Sequence, residues 1–522
     1  MSFWRGFRQP VRYGTLLAGA LPVLAFPAAN LEFLAWIGLV PGLALMRAAP
    51  TRREAVARGW WFGAGYLLAA MYWLAPNLGP GLLLVAIVLG FLWSAVGVAA
   101  WSLLRPPMTM WRSLAALVVV PSCWLVTEWI RSWQGIGGPW AVFGASQWQH
   151  PAILALAAVG GIWLVSFALV AANTGLLIAL VARAPFVRLA GLAGALVAVA
   201  AGPVAFARTA PPPVARPLTI ALVQPGVVQA GPAVRLQRSE QLTRSAAGRA
   251  DLFVWGESSV GFDLSVHPPL LAAIEKTAAA SGAEILANQD ALNAAGAKSK
   301  QATLISGTGI EGRYVKTRLV PFGEYIPFRP VLGWLARISR AAAQNVVPGT
   351  GAHVLRATLP GGQSLTFGPL ICFESAFPDM SRVDADRGAQ VIIYQTSDST
   401  FEASWAPAQH AALSAVRAAE TGRPVVQAAL TGDSVAFDGR GRQLAFAGTS
   451  YHGVVVVRLG LPPASARTPF DQLGDYVPWT AVTIAALAAL IGIGRGLLAR
   501  RRSSRPGGGS PAELVTDSRS SG

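Results

Sequence analysis

Three reactive side chains follow short apolar runs in the second half of the chain. Glu257 comes just after the run Leu252–Trp255, Cys372 directly follows Ser364–Ile371, and Lys316 follows a β-prone pair of residues. Strands of α/β folds commonly place reactive side chains at their ends. A carboxylate, an ammonium group and a thiol at three such points therefore predict a nucleophilic site.

The three residue types suit acyl transfer. A thiol needs a base to become a thiolate, and Glu257 can supply that base. The negative charge that develops on an acyl oxygen can be stabilised by Lys316 and by the backbone N–H of Phe373. Glu257 can then return the proton to a leaving group or take one from an attacking amine.

The elements that carry these residues belong to a membrane protein. Of the 522 residues, 53% are hydrophobic and only 13% are charged, whereas soluble domains have about 25% charged residues. The net charge of +17 comes from basic residues that crowd the short loops between apolar runs, so it indicates membrane topology and not a nucleic-acid partner. No metal site and no cofactor are predicted.

Eight apolar stretches are long enough to cross a bilayer, which takes about 20 residues each. They lie at 12–28, 31–48, 57–76, 80–104, 113–131, 155–182, 187–207 and 477–498. If each crosses once, the arginines gather on one side, which is then the cytoplasmic side. They are Arg5, Arg8, Arg12, Arg47, Arg52, Arg53, Arg58, Arg105, Arg112, Arg183, Arg188, Arg500, Arg501, Arg502 and Arg505.

This pattern predicts four parts. Residues 1–209 form a seven-span membrane domain, 210–475 an extracytoplasmic catalytic domain, 476–499 the eighth span, and 500–522 a basic, disordered cytoplasmic tail. Both termini are predicted to be cytoplasmic. Between 210 and 475, β-rich runs alternate with helical stretches, which indicates an α/β domain. The runs are Leu218–Gln224, Leu252–Trp255, Ile285–Ala287, Ser364–Ile371, Val391–Gln395 and Pro424–Ala429, and the helical stretches are 233–248, 268–281 and 406–421.

Several motifs resemble a known family. The Glu-Lys-Cys order is similar to the triad of the nitrilase superfamily. With the eight spans, residues 10–500 resemble the apolipoprotein N-acyltransferase family. The most specific match is the segment 319–327, Leu-Val-Pro-Phe-Gly-Glu-Tyr-Ile-Pro; further matches are Glu128–Arg131, Pro139-Trp140, Ser146-Gln147, Gln409-His410 and Arg423-Pro424.

The resemblance implies roles for this chain. Cys372 would be the nucleophile, Glu257 the general base and Lys316 the stabiliser of the transition state. Glu324, Phe373 and Glu374 would support the site or bind substrate. The fold would be a nitrilase-like αββα sandwich on a multi-span α-helical membrane domain. A membrane phospholipid would give its acyl chain to the cysteine, and a diacylglyceryl apolipoprotein would receive it, with a monomeric enzyme in the cell membrane.

The sequence departs from the family pattern at four places. Gly256 stands where many members have Pro, and Phe373 where Tyr is usual. Residues 397–402 read Ser-Asp-Ser-Thr-Phe-Glu instead of Asn-Asp-Ala-Trp-Phe-Gly, and a tryptophan common near 230–236 is missing. These changes leave the triad intact and bear on the acyl donor and the entrance to the site.

Other interpretations stay open at this point. A membrane-anchored amidase or nitrilase would use the same triad to hydrolyse a C–N bond, and a scaffold could keep a catalytically degenerate domain. Glu257 could cap a helix, Lys316 could be a surface lysine, and Glu324 and Glu374 could be structural ion-pair partners. Cys123, inside an apolar stretch, is interpreted as a packing residue that does not pair with Cys372. His410 is a catalytic or a packing histidine, and Glu128 with Arg131 is a functional or a structural pair.

Overall fold

A computed structural model describes residues 10–211, 213–226, 231–292, 296–334 and 345–503. Arg5, Arg8, Arg505 and the predicted tail beyond residue 503 lie outside these described residues. Within them, a helical part precedes an α/β domain, and one long helix follows it. The helical part comprises α1 Pro10–Ala20, α2 Leu34–Ile37, α3 Val40–Arg47, α4 Arg52–Ala70, α5 Ala75–Leu78, α6 Gly81–Gly90, α7 Ser94–Leu104, α8 Met110–Arg131, α9 Pro151–Val181 and α10 Pro185–Arg208.

Five helical segments are long and apolar enough to cross a membrane. They are Gly81–Leu104, Met110–Arg131, Pro151–Val181, Pro185–Arg208 and Tyr476–Arg495. Each coincides with one of the eight predicted spans. Apolar side chains on α10 and on the last helix face outward, among them Leu196 and Ile491, exposed by 60% and 56%. Contact between so much apolar surface and water is unfavourable, so these faces of the helices need a lipid environment.

The other three predicted spans are shorter or interrupted helices. The stretch 12–28 is α1 continued by a 3₁₀ turn. The stretch 57–76 starts inside α4, which begins with charged residues, and runs past its end through a 3₁₀ turn into α5. The stretch 31–48 is broken between α2 and α3. There the side chain of Asn173 accepts a hydrogen bond from the Leu39 N–H and donates one to the Ala35 carbonyl. The number of crossings therefore stays a prediction for these three.

Helix α9 contains a break at two glycines. Gly160 has φ −133° and ψ 24°, and Gly161 has φ +69° and ψ −177°, both outside the helical region. The positive φ of Gly161 favours glycine, and a Cβ there would lie 2.6 Å from the ring of Phe470. The second half of α9 therefore begins at Ile162, and this new helix N-terminus lies inside the helical part.

The α/β domain contains two six-stranded sheets. The strands are β1 Arg216–Gln224, β2 Leu252–Trp255, β3 Glu284–Leu292, β4 Lys298–Ile305, β5 Ile310–Val315, β6 Leu355–Thr358, β7 Ser364–Ile371, β8 Val391–Thr396, β9 Val425–Ala429, β10 Ser434–Phe437, β11 Gln443–Ala447 and β12 Gly453–Leu461. The first sheet has the order β12-β1-β2-β3-β4-β5 and the second β11-β10-β9-β8-β7-β6. Strands β1 to β3 are parallel, as are β7 to β9, and the outer strands are antiparallel.

The two sheets pack face to face between layers of helices. Leu222 and Val254 of the first sheet share an apolar core with Leu370 and Ile392 of the second. The remaining helices are α11 Pro232–Ser245, α12 Pro268–Ser281, α13 Arg329–Leu332, α14 Pro378–Asp386, α15 Ala406–Thr421, α16 Pro469–Leu473 and α17 Tyr476–Ser503. Helices α11 and α12 cover the first sheet, and α15 contacts the second. The predicted αββα sandwich is confirmed. All six predicted strands and three predicted helices are present, but β4 to β6 and β10 to β12 were missed.

Candidate active site

Cys372 lies at a sharp turn between a strand and a short helix. Strand β7 ends at Ile371, and a 3₁₀ helix, Cys372–Ala376, starts at once. Cys372 has φ +52°, a left-handed conformation that is uncommon for residues other than glycine. Such backbone strain is typical of sites where a side chain must point out of a turn. Both cysteines are free, so the absence of a bond between Cys123 and Cys372 is confirmed.

Glu257 reaches the cysteine from the other sheet. Its N–H donates to the Thr396 carbonyl at 3.1 Å, and its side chain, 6% exposed, interacts electrostatically with the Cys372 thiol. The preceding Gly256 allows this approach, since a Cβ there would lie 2.0 Å from the N of Leu430. The family's more usual Pro could not take this backbone position unchanged.

Lys316 completes the triad. It follows β5, its side chain is fully buried, and its Nζ lies 3.1 Å from Oε1 of Glu257 and 2.8 Å from Oε1 of Glu324. Burial alone would lower the pKa of Lys316, but the two carboxylates raise it well above its usual value. Lys316 is therefore a permanent cation beside the thiol.

The charges set the resting protonation of the site. Burial and the negative charge of Glu257 raise the pKa of the Cys372 thiol well above its ordinary value. Burial also tends to raise the pKa of Glu257, but Lys300 and Lys316 lower it to about 2. At neutral pH the resting pair is accordingly a thiol and a carboxylate, and the carboxylate is the only one of the two that can accept a proton.

The two further glutamates differ in what they contact. Glu324 binds the Lys316 ammonium through Oε1 and the Val320 N–H through Oε2 at 2.9 Å. Glu374 contacts neither the thiol nor the lysine. Its Oε1 accepts from the Tyr314 hydroxyl and from the N–H groups of Thr317 and Arg318, and its Oε2 accepts from the Ile371 N–H. Glu374 thus ties the end of β7 to the segment that carries Lys316.

Comparisons with known proteins decide the family. Residues 18–175 match the model of the apolipoprotein N-acyltransferase N-terminal domain, and residues 219–465 match that of carbon-nitrogen hydrolase. The apolipoprotein N-acyltransferase of Sinorhizobium medicae is 31% identical over 91% of this chain and 94% of its own length. The chain belongs to the apolipoprotein N-acyltransferase family.

One further relative agrees with this assignment, and two solved structures resemble part of the chain. The enzyme of the same name from Chlorobaculum tepidum is 28% identical over 93% of this chain and 96% of its own length. Among solved structures, an amidase from Nesterenkonia sp. covers 48% of this chain and 93% of its own at 20% identity, with a TM-score of 0.35. A carbon-nitrogen hydrolase from Helicobacter pylori covers 47% and 89% at 14% identity, with a TM-score of 0.38. From its curated relatives and the two family models, the chain is an acyltransferase with a carbon-nitrogen hydrolase domain on a membrane part.

Phe373 links this acyltransferase site to the helical part. Its ring stacks on that of Trp140, with centroids 6.5 Å apart and an interplanar angle of 24°, and packs edge-on against Phe377. Trp140 in turn contacts Trp73, whose indole N–H donates to Gln409 in α15. Phe373 therefore forms an aromatic contact between the turn at Cys372 and the helical part.

Glu128 and Arg131 hold the loop that carries Trp140. Oε1 of Glu128 accepts the Phe143 N–H at 2.7 Å, and Nη2 of Arg131 donates to the Trp140 carbonyl at 2.7 Å. Both side chains are buried. The contacts favour a structural role, fixing the loop, over a direct role in the chemistry. Cys123 is a buried packing residue on the same helix.

His410, whose role the sequence left open, and Lys300, which the sequence did not single out, both approach the site. The His410 ring lies 3.1 Å from Asp398 Oδ1, 2.8 Å from Ser375 Oγ and 3.2 Å from the Cys372 carbonyl. Asp398 comes from the divergent 397–402 segment, so that segment is linked through His410 to the turn at Cys372. The signal for His410 was the Gln409-His410 motif, but the sequence does not show which way the His410 side chain points. Lys300 carried no motif.

Proposed function

We propose that this enzyme transfers an acyl chain from a membrane phospholipid, through a thioester on Cys372, to the α-amine of the N-terminal diacylglyceryl-cysteine of apolipoproteins. The observation that carries the proposal is the meeting of Cys372, Glu257 and Lys316 one residue from the aromatic contact with the membrane part. Both substrates would be held in the bilayer, which gives a reason for joining this domain to membrane helices. The relatives' name supplies the acceptor.

In the first step, the thiol sulfur attacks the ester carbonyl of the phospholipid. Glu257 takes the thiol proton, and the carbonyl oxygen becomes an oxyanion. Lys316 stabilises that charge, helped by the Phe373 N–H, because the first N–H groups of a helix lack intrahelical acceptors. Collapse of the adduct breaks the ester C–O bond, and Glu257 gives its proton to the departing lysophospholipid oxygen.

In the second step, the amine of the acceptor attacks the thioester. Glu257 takes a proton from the amine, the C–S bond breaks, and the proton returns to sulfur. The product is an amide, and the free thiol is restored. Burial of Glu257 and Lys316 is an advantage here, because electrostatic stabilisation is stronger away from water.

Mass spectrometry of the Cys372 peptide tests this reaction. The purified protein is exposed to mixed phospholipids and then to a diacylglyceryl peptide. An acyl thioester on Cys372 that disappears as N-acylated peptide forms is the expected result. Release of free fatty acid or ammonia without N-acylated peptide would instead favour the amidase, and absence of any acyl-enzyme would favour the scaffold.

The same proposal includes the topology, with the α/β domain and residues 210–475 outside the cytoplasm. Support comes from α4, whose first turns carry Arg52 and Arg58 while its far end leads to Trp73 beside Gln409. Its 19 residues span about 28 Å, close to a bilayer core. A reporter inserted within 230–460 should behave as extracytoplasmic and one after Arg505 as cytoplasmic; the reverse would overturn the orientation.

A further inference from the structure

Lys300 places a second ammonium group on the carboxylate of Glu257. Its Nζ lies 3.4 Å from Oε1 of Glu257, the same oxygen that Lys316 contacts at 3.1 Å. The chain has four lysines, and two of them converge on this one oxygen. The proposed reaction uses one lysine, Lys316, so the position of Lys300 beside the same carboxylate has to be explained.

The ammonium of Lys300 is held in a fixed position. It donates to Ser258 Oγ at 2.7 Å and to Asp290 Oδ1 at 3.4 Å, in addition to facing Glu257. Its side chain is only 16% exposed. Turning the ammonium away from the carboxylate would cost it the hydrogen bonds to Ser258 and Asp290, so the charge stays beside Glu257.

Strand register is what brings Lys300 there. Lys300 on β4 is the direct partner of Asp290 on β3, and the backbone N–H of Lys316 donates to the Lys300 carbonyl at 2.9 Å. The backbone of β4 thus also supports the triad lysine. Lys298, two residues earlier on the same strand, approaches Asp290 at 3.4 Å but is more exposed, at 36%.

We infer that Lys300 is a positioning residue that keeps Glu257 ionised as the pH falls, and so sets the acid limit of acyl-enzyme formation. The inference rests on the proposed role of Glu257 as the base. A protonated Glu257 cannot take the thiol proton, so activity ends where this carboxyl becomes protonated. A positive charge at this distance lowers the pKa of a carboxyl by about 1 to 3 units.

Other charged groups also face Glu257, and none of them replaces Lys300. Lys316 is shared with Glu324, which offsets part of its charge at Glu257. Cys372 is neutral at rest, and its thiolate would oppose ionisation of Glu257. Further groups within electrostatic range of the site are Asp290, Asp398 and His410. Burial and the charges of Lys300 and Lys316 are the principal influences on the pKa of Glu257.

The test is the pH dependence of thioester formation by the full chain in detergent. The probe is phosphatidylethanolamine with a labelled acyl chain, and the rate is measured in a single turnover at saturating lipid. In Lys300→Met and Lys300→Gln the midpoint of the acid limb should rise by about 1 to 3 pH units. The rate on the neutral plateau should persist, because a more basic carboxylate is still a competent base. Lys300→Arg should restore the wild-type limb.

Lys298→Met is the matched control, since it removes a lysine that contacts Asp290 but not Glu257. Its acid limb should coincide with that of the wild type. The inference is overturned if folded Lys300→Met or Lys300→Gln keeps the wild-type limb, or loses rate equally at every pH. If the wild type itself forms no thioester, the proposed function fails instead, so the two failures are distinguishable.

Discussion

Oε1 of Glu420 accepts a hydrogen bond from the backbone N–H of Ile162 at 2.8 Å. Glu420 ends α15 of the α/β domain, whereas Ile162 starts the second half of the broken helix α9. Arg417 Nη1 lies 2.8 Å from Oε2 of the same carboxylate, and both side chains are buried. A carboxylate at a helix start satisfies an N–H that has no intrahelical acceptor. The break in α9 is therefore a docking point between the two parts.

Glu420→Ala should destabilise this junction strongly. It removes the helix cap and leaves the buried Arg417 without its ion-pair partner, a loss of about 3–5 kcal/mol in the free energy of unfolding. Glu420→Gln keeps an acceptor for Ile162 and should cost less. Thermal unfolding in detergent measures both. Asp386→Ala, which removes exposed ion pairs with Arg382 and Arg467, should change stability by no more than about 1 kcal/mol per pair. An equal effect of Glu420→Ala and Asp386→Ala would contradict the docking role.

Lys316→Met should abolish thioester formation while Cys372 remains present. The change removes the cation that stabilises the oxyanion and leaves Glu257 and Glu324 facing each other without it. Loss of one such charge should slow acylation by at least about 100-fold. Intact-protein mass spectrometry after exposure to phospholipid measures the acyl-enzyme. Cys372→Ser provides the blank, since it removes the thiol itself, and near-normal acylation of Lys316→Met would exclude Lys316 from the triad.

The fold and the convergence of Glu257, Lys316 and Cys372 could be predicted because their signals are local. Strands β2 and β7 and helices α12 and α15 have the bounds of their apolar or helical runs, and two of the three reactive residues follow those two strands. The missed strands are different. Strand β12 pairs with β1 across more than 200 residues, and β10 and β11 are short. Pairing of this kind depends on tertiary context more than on local pattern.

The roles of Lys300 and Glu374 could not be deduced from the sequence for the same reason. Lys300 belongs to the polar run Lys298-Ser299-Lys300-Gln301, which on its own resembles a solvated strand face. Only the register that pairs Lys300 with Asp290 brings it to Glu257. Glu374 directly follows the nucleophile region and so resembled a site residue. Its four hydrogen bonds are all with Tyr314 or backbone N–H groups, so Glu374 holds the backbone of the site in place.

Trp140→Ala should slow the acylation of Cys372 by phospholipid more than it slows the alkylation of the Cys372 thiol by iodoacetamide. Trp140 packs against Phe373 and His410, the residues beside the nucleophile turn. Loss of the Trp140 ring lets that turn move. A displacement of the reacting groups by about 1 Å can lower the rate roughly 100-fold. Single-turnover acylation and alkylation of Cys372 by iodoacetamide are measured together. Trp133→Ala is the control, since Trp133 is 55% exposed and packs on Trp129; equal losses in the two variants would contradict a specific role for Trp140.

His410 should make stability depend on pH in a definite direction. Burial alone would lower the pKa of His410, but Asp398 raises it above its ordinary value. A raised pKa means that the folded state binds the proton more tightly than the unfolded chain. This stabilisation is fully present below the unfolded pKa of about 6.5 and is lost as the pH rises through the higher folded value.

The wild type should therefore lose thermal stability as the pH is raised above about 6.5, and His410→Gln should lack that part of the loss. His452→Gln, at an exposed histidine, should retain the wild-type pH dependence. His410→Gln should also slow acylation at every pH, because the ring contacts the Cys372 carbonyl and Ser375 Oγ and so holds the strained turn. The KM for the donor should stay unchanged, since the ring acts through the turn. Identical pH profiles of unfolding for His410→Gln and the wild type would show that the Asp398–His410 pair contributes nothing to folding.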